Sequence, residues 1–193
     1  MTKIDSAVIF AGGKSSRMGE DKSLLPFGNC PTLAQYQHSK LSKFFDNVYI
    51  SAKEHKFDFE CKVIKDTQQE ASPLVGLISI FETLEVDQVF ILSVDAPFVN
   101  EKVINSLFEH NQTELDVIAA ESPSGVQPLC GVYKRSILPL AYSQLKKGDH
   151  RLSNLLGLAK TCFVRFEKDT PFTNLNHPEE YQEALKYVER SSK

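Results

Sequence analysis

Short apolar runs alternate with helix-period segments along this chain, and that alternation limits the folds open to it more than any other feature. Strands are expected at Ser6–Ala11, Asn47–Ser51, Lys62–Ile64, Gln88–Val94, Asp116–Ala120, Leu129–Tyr133 and Cys162–Phe166. Between them, Leu74, Leu77, Ile78, Phe81 and Leu84 follow the i, i+3, i+4, i+7 spacing of one helix face. Val103, Ile104, Leu107 and Phe108 repeat that spacing over a shorter span. Tyr181, Ala184, Leu185 and Val188 mark a C-terminal helix, opened by Pro178 with acidic Glu179 and Glu180 in its first turn. Strand–helix–strand alternation implies an α/β fold: a mostly parallel central sheet flanked by helices on both faces. The run Val89-Phe90-Ile91-Leu92 has no polar side, as a strand covered on both faces requires. A chain of 193 residues that is 41% hydrophobic can bury such a core within a single domain spanning 1–193. Ligands of these sheets bind beyond the carboxyl ends of the strands, so function is expected in the residues that follow them.

The first strand ends in the most informative of these segments. Ala7-Val8-Ile9-Phe10 stops at Ala11-Gly12-Gly13, and three cations follow, Lys14, Arg17 and Lys22. Paired glycines let backbone amides approach a ligand without a Cβ in the way. Exposed amides together with several positive charges suit a polyphosphate. A Gly-Gly after a strand is often no more than a tight turn, but three cations and a second turn signal at Met18-Gly19 point beyond that. The spacing matches neither G-x-x-x-x-G-K-[ST] nor G-x-G-x-x-G, so the loop belongs to neither a P-loop enzyme nor a dinucleotide-binding dehydrogenase.

Strand ends elsewhere supply carboxylates. Asp95 follows Gln88–Val94 and precedes Ala96-Pro97. A carboxylate there suits Mg²⁺, which keeps several waters and shares its remaining positions with substrate phosphates. The competing reading of Asp95 is a simple turn residue. Asp66 ends Val63-Ile64-Lys65 in the same way, and Ser51 is a third polar residue at a strand end. Other chemistry finds no support. The five histidines are scattered, and neither H-E-x-x-H nor G-x-S-x-G occurs. Four cysteines at 30, 61, 130 and 162 form no C-x-x-C element, which leaves reduced thiols as the economical reading. A net charge of -3 from 22 basic and 25 acidic residues argues against nucleic acid as a partner. The apolar run at Ala7–Ala11 is too short for a signal peptide or a membrane span, so no membrane association and a cytoplasmic location are expected.

Ala11-Gly12-Gly13-x-Ser15-x-Arg17-Met18-Gly19-x-x-Lys22, followed later by Ser93-Val94-Asp95-Ala96-Pro97-Phe98, resembles the nucleotidyltransferases that join an NTP to a phosphorylated acceptor. Ser72-Pro73-Leu74-Val75-Gly76, Gln127-Pro128-Leu129 and Phe172-Thr173-Asn174-Leu175-Asn176-His177-Pro178-Glu179-Glu180 narrow the resemblance to the molybdenum cofactor guanylyltransferases. It runs from about residue 6 to residue 188.

The resemblance implies a Rossmann-like nucleotidyltransferase fold, with a nucleotide-binding half at about 1–100 and an acceptor-binding half at about 101–193. It implies GTP and molybdopterin or molybdenum cofactor as substrates, Mg²⁺ as cofactor, and transient contact with molybdoenzymes or cofactor-synthesis proteins. Phe10, Ala11, Gly12 and Gly13 would lie along the nucleotide. Lys14 and Arg17 would face its β- and γ-phosphates. Lys22, Ser51 and Asp66 would contact the nucleotide, Leu74 and Gly76 would line the base pocket, and Asp95 would hold the metal. Arg151, Asn174 and Asn176 would sit on the pterin side. Ser51 stands where the family commonly has Asn, Ser72 replaces a Gly, and His150-Arg151 stands where Arg-Arg is often found. A relative using CTP or a sugar-phosphate acceptor is the nearest alternative. A non-catalytic nucleotide-binding partner of molybdoenzymes is the alternative from a different class.

Overall fold

The computed structural model of the protein describes residues 4–12, 21–67 and 72–191. In chain order the strands and α-helices are β1 (Ser6–Phe10), α1 (Leu33–Leu41), β2 (Asn47–Ser51), β3 (Lys62–Ile64), α2 (Pro73–Thr83), β4 (Gln88–Ser93), α3 (Glu101–Glu109), β5 (Val117–Ser122), β6 (Gly125–Lys134), α4 (Leu138–Lys146), α5 (Leu152–Leu158), β7 (Thr161–Arg165) and α6 (Pro178–Ser191). The strands form one seven-stranded sheet in the order β3-β2-β1-β4-β6-β5-β7. The pairings β1–β2, β1–β4, β2–β3 and β5–β7 are parallel; among the described strands β6 alone runs antiparallel to its neighbours. The sheet is mostly parallel, as the alternation implied, and each expected strand forms.

Side chains alternate across it. Ala7, Ile9, Phe90 and Leu92 pack on one face against α1, α3 and α6. Val8, Phe10, Val89 and Ile91 pack on the other against α2, α4 and α5. All five residues of β1 are buried, because neither of its faces meets water. Three of the described helices cover each face, and helices on both faces are the layered arrangement expected.

Local signals set the helix ends. Ser72 caps α2 by accepting from Val75 N (3.2 Å), with Pro73 in the first turn. Asn100 caps α3 through Val103 N (3.2 Å). Glu180 reaches back from α6 to accept from the backbone N–H groups of Asn176 (2.6 Å) and His177 (2.9 Å), a use of a first-turn carboxylate that satisfies two otherwise orphaned donors. At the far end of α2, the Arg135 guanidinium donates to the carbonyls of Phe81, Leu84 and Val86. Arg135→Met removes all of these donors at once. It is expected to cost about 1–3 kcal/mol of stability, read as a lower denaturant midpoint at unchanged slope.

The antiparallel pair β5–β6 carries an irregularity that shapes the functional end of the sheet. Ala119 pairs with Gly131 but Ala120 pairs with Gln127, so Pro128, Leu129 and Cys130 loop out of that ladder. Proline has no N–H to give a ladder, and bulges re-aim side chains beside functional sites. Gly131 is required here: a Cβ would stand 2.4 Å from the Ile118 carbonyl oxygen.

Candidate active site

The carboxyl ends of β1 and β4 lie side by side. Phe10 pairs with Ser51 on one flank and Ser93 on the other. Ala11 N donates to Ser51 O (2.9 Å) and Val94 N to Phe10 O (3.0 Å), so the chain leaves the sheet as Ala11-Gly12 directly beside Val94-Asp95. Gly12 is exposed there. Gly13, Lys14 and Arg17 lie outside the described residues.

Asp95 is the hub of the described site. Its carboxylate is half-buried and accepts from Lys22 Nζ (3.1 Å) and from Ser93 Oγ (2.5 Å). The same Lys22 ammonium donates to Asn176 Oδ1 (3.2 Å). The backbone of the C-terminal segment is tied down too, because Leu175 N donates to Asp95 O (2.9 Å). Residues separated by more than seventy positions in sequence thus meet: Lys22 with Asp95 and Asn176.

Behind this hub the turn is braced from α1. Gln37, fully buried, donates to the carbonyls of Ser93 (3.3 Å) and Val94 (3.2 Å). Lys40, one turn on, donates to Pro97 O (2.8 Å), and burial pushes its ammonium down to about 7. Sequence reasoning missed both. The available signal was a glutamine and a lysine spaced i, i+3 on a helix whose neighbours Leu33, Ala34 and Leu41 are core residues.

Lys22 is itself placed by a capped turn. Asp21 accepts from Ser23 N (3.0 Å) and Ser23 Oγ (2.7 Å), which closes the 3₁₀ turn Lys22–Leu24. Burial pushes the Asp21 carboxyl up, but the Lys56 ammonium and Ser23 outweigh it and hold the carboxyl below its ordinary range.

On the opposite flank, α2 rides on the end of β1. A Cβ at Gly76 would stand 2.7 Å from the Phe10 ring and 3.2 Å from Ser51 Oγ. Gly76 is therefore set by packing on Phe10 and Ser51. Leu74 is completely buried in the apolar layer. Ser51 is buried at the strand end. Asp66 is half-buried after β3, where burial raises its carboxyl and the nearby Lys53 charge opposes the rise.

A cleft of about 420 Å³ opens next to Asp95, lined among others by Ser93, Gln127, His150, Arg151 and Asn174. The bulged stretch of β6 forms one wall, and the loop before α5 forms another. His150 Nδ1 lies 3.0 Å from Ser72 Oγ, which joins that loop to the cap of α2. Arg151 is exposed, its backbone held by Asp149 Oδ1 (3.1 Å) and Gln144 Nε2 (2.8 Å). The cleft collects Arg151 and Asn174 with Asp95; Asn176 is linked to Asp95 through Lys22. A carboxylate, a guanidinium and amides around one opening can hold an anionic molecule against a charge-neutralising centre. Among the described residues no group of three or more His, Cys, Asp or Glu side chains gathers around a common point. No described helix is long and apolar enough to cross a membrane.

Comparison with known proteins places these features in context. A family model described as the MobA-like NTP transferase domain matches residues 7–162. The chain is 41% identical over 179 residues to a molybdenum cofactor guanylyltransferase of Campylobacter jejuni subsp. doylei, covering 92% of this chain and 93% of that protein. It is 31% identical to the molybdenum cofactor guanylyltransferase of Helicobacter pylori strain J99, covering 96% of this chain and 90% of that one. Among solved structures, molybdopterin-guanine dinucleotide biosynthesis protein A from Archaeoglobus fulgidus superposes with a TM-score of 0.82 over 96% of this chain and 99% of its own, at 18% identity.

Proposed function

The chain belongs to the MobA-like NTP transferase family, and from that premise we propose that it transfers a guanylyl group from GTP to the terminal phosphate of molybdopterin, with Mg²⁺, releasing pyrophosphate. The observation that carries this reading is the Lys22 ammonium, 3.1 Å from Asp95 and 3.2 Å from Asn176. One cation spans the residue suited to a metal and the segment suited to the second substrate. In this reading one domain has a nucleotide half at about 1–100 and an acceptor half at about 101–193, and the Asp95 turn is their seam.

A phosphate oxygen of the acceptor attacks the α-phosphorus of GTP in line. The new P–O–P bond forms as the bond to the β-phosphate oxygen breaks, and pyrophosphate departs with that electron pair. The attacking oxygen is already anionic, so no general base is needed. What the protein supplies is alignment and neutralisation of charge. Asp95 would hold Mg²⁺ as one hard oxygen ligand, and the ion would supply neutralisation of charge on the phosphates. Lys22, released to the phosphates, moves positive charge from the carboxylate to the nucleotide. The family resemblance assigns Lys14 and Arg17 to stabilising the departing pyrophosphate. Arg151, Asn174 and Asn176 orient the pterin phosphate at the cleft. Ala11 and Gly12 present backbone to the nucleotide, and Asp66 and Ser51 lie on its sugar side. Leu74 is buried, so base selection falls to the backbone around it and Gly76.

Release of labelled pyrophosphate from GTP, CTP, ATP and UTP, each with molybdopterin and Mg²⁺, tests the reading. GTP is expected to exceed the others by about tenfold or more, the effect of a lost pair of hydrogen bonds to the base. Preference for CTP would make the protein a cytidylyl transferase of the same fold. Nucleotide binding without pyrophosphate release would make it a binding partner.

A further inference from the structure

Lys56 lies in the loop between β2 and β3, far in sequence from Ala11 and Asp21, yet it touches both of these described flanks of the glycine-cation loop. Its ammonium donates to the Ala11 carbonyl (3.4 Å) and pairs with the Asp21 carboxylate. Its charge also stands 5.6 Å from the Phe57 ring centroid, and Phe57 is buried in the core. Asp21 in turn caps the turn that carries Lys22. A single side chain thus fixes where the chain leaves β1, where it re-enters at Asp21, and, through the cap, where Lys22 meets Asp95.

We propose that Lys56 is a positioning residue for nucleotide binding, acting by clamping Ala11 to Asp21 and so holding Lys22 in register with Asp95. The inference rests on the nucleotidyltransferase reading but concerns a residue which that reading does not use. A surface ion pair contributes little when both partners are solvated. This one differs in consequence because the same ammonium also reaches the Ala11 carbonyl, so its two acceptors lie on the two flanks of one functional loop. Small displacements of positioned groups cost up to about a hundredfold in rate.

The test combines nucleotide binding with steady-state kinetics on the full chain. Lys56→Met is expected to raise the GTP KM and the Kd for GTP with Mg²⁺ by about tenfold. The acceptor KM should stay within about twofold and the melting temperature nearly unchanged. Lys56→Arg, which keeps a donor and a charge, should restore most of the affinity. Asp21→Asn should reproduce the loss, and the double variant should be no worse than Lys56→Met alone, because both remove the same link. Wild-type GTP affinity in Lys56→Met overturns the proposal. So does a loss shared equally by GTP, acceptor and thermal stability, which would mark a purely structural role. A wild-type protein that binds no nucleoside triphosphate would overturn the functional reading itself and the role of Lys56 with it; that outcome is told apart because it appears before any substitution is made.

Discussion

Asp95→Ala is expected to lower turnover about 10²–10³-fold, the cost of removing a preorganised charge partner from a reacting centre, while the protein stays folded. The side chain contributes little to the fold. Its partners are Lys22 and Ser93, both at the functional end of the sheet. The structural tie at this position comes from the backbone, since Leu175 N donates to Asp95 O and needs no carboxylate. Gln37 and Lys40 hold the neighbouring carbonyls of Ser93, Val94 and Pro97 and are untouched. Melting temperature and sheet content should therefore match the wild type. Asp95→Asn sharpens the point: it keeps the shape and the bond to Ser93 and loses only the charge. Both variants should show the same loss of kcat, with rising Mg²⁺ giving little recovery. Full activity in either would remove Asp95 from the chemistry.

Lys22→Met is the second large effect. Lys22 meets Asp95 and Asn176 at once, so its loss should lower kcat/KM for GTP about 10²-fold and raise the acceptor KM through Asn176. The pair is mostly shielded, with side-chain exposures of 16% and 19%, so the attraction between the two charges is little screened by solvent. The double variant Lys22→Met/Asp95→Ala should fall well short of the sum of the two in free energy, because contacting groups in one network couple. Full additivity in that cycle would mean that Lys22 and Asp95 act independently, against the geometry.

How much of this was legible in the sequence follows from which residues obey periodicity. The strands were legible because buried parallel strands are continuous apolar runs, as in β1 and β4. Helix α2 was legible because its interior is apolar on nearly every turn. Helices α1 and α4 were not. Each sets a glutamine, Gln37 or Gln144, into the buried layer, and that breaks the apolar stripe on which a helix reading depends. Helix α5, Leu152–Leu158, is too short to establish a period. The reversal of β6 was equally hidden, since its buried residues 130–133 carry no mark of strand direction.

The site divides in the same way. Asp95, Lys22, Asn174 and Asn176 were legible from position after a strand and from family-like spacing, and the structure brings them to one place. For Leu74 and Gly76 the resemblance implied a base pocket; the structure sets Leu74 in the buried layer and Gly76 against Phe10 and Ser51. Lys56, Lys40 and Gln37 act through long-range bonds to backbone carbonyls. A carbonyl is present at every residue, so nothing in the sequence marks the one that a side chain will reach.

The central claim is transfer of the α-phosphoryl group of GTP with its nucleoside to the pterin phosphate. It is tested most directly with GTP labelled separately at the α- and γ-phosphorus, incubated with molybdopterin and Mg²⁺. The account predicts that α-label passes into a pterin-linked dinucleotide and γ-label into pyrophosphate, in equal amounts and only when the acceptor is present. Label appearing as inorganic phosphate, or pyrophosphate released at the same rate without acceptor, would contradict it.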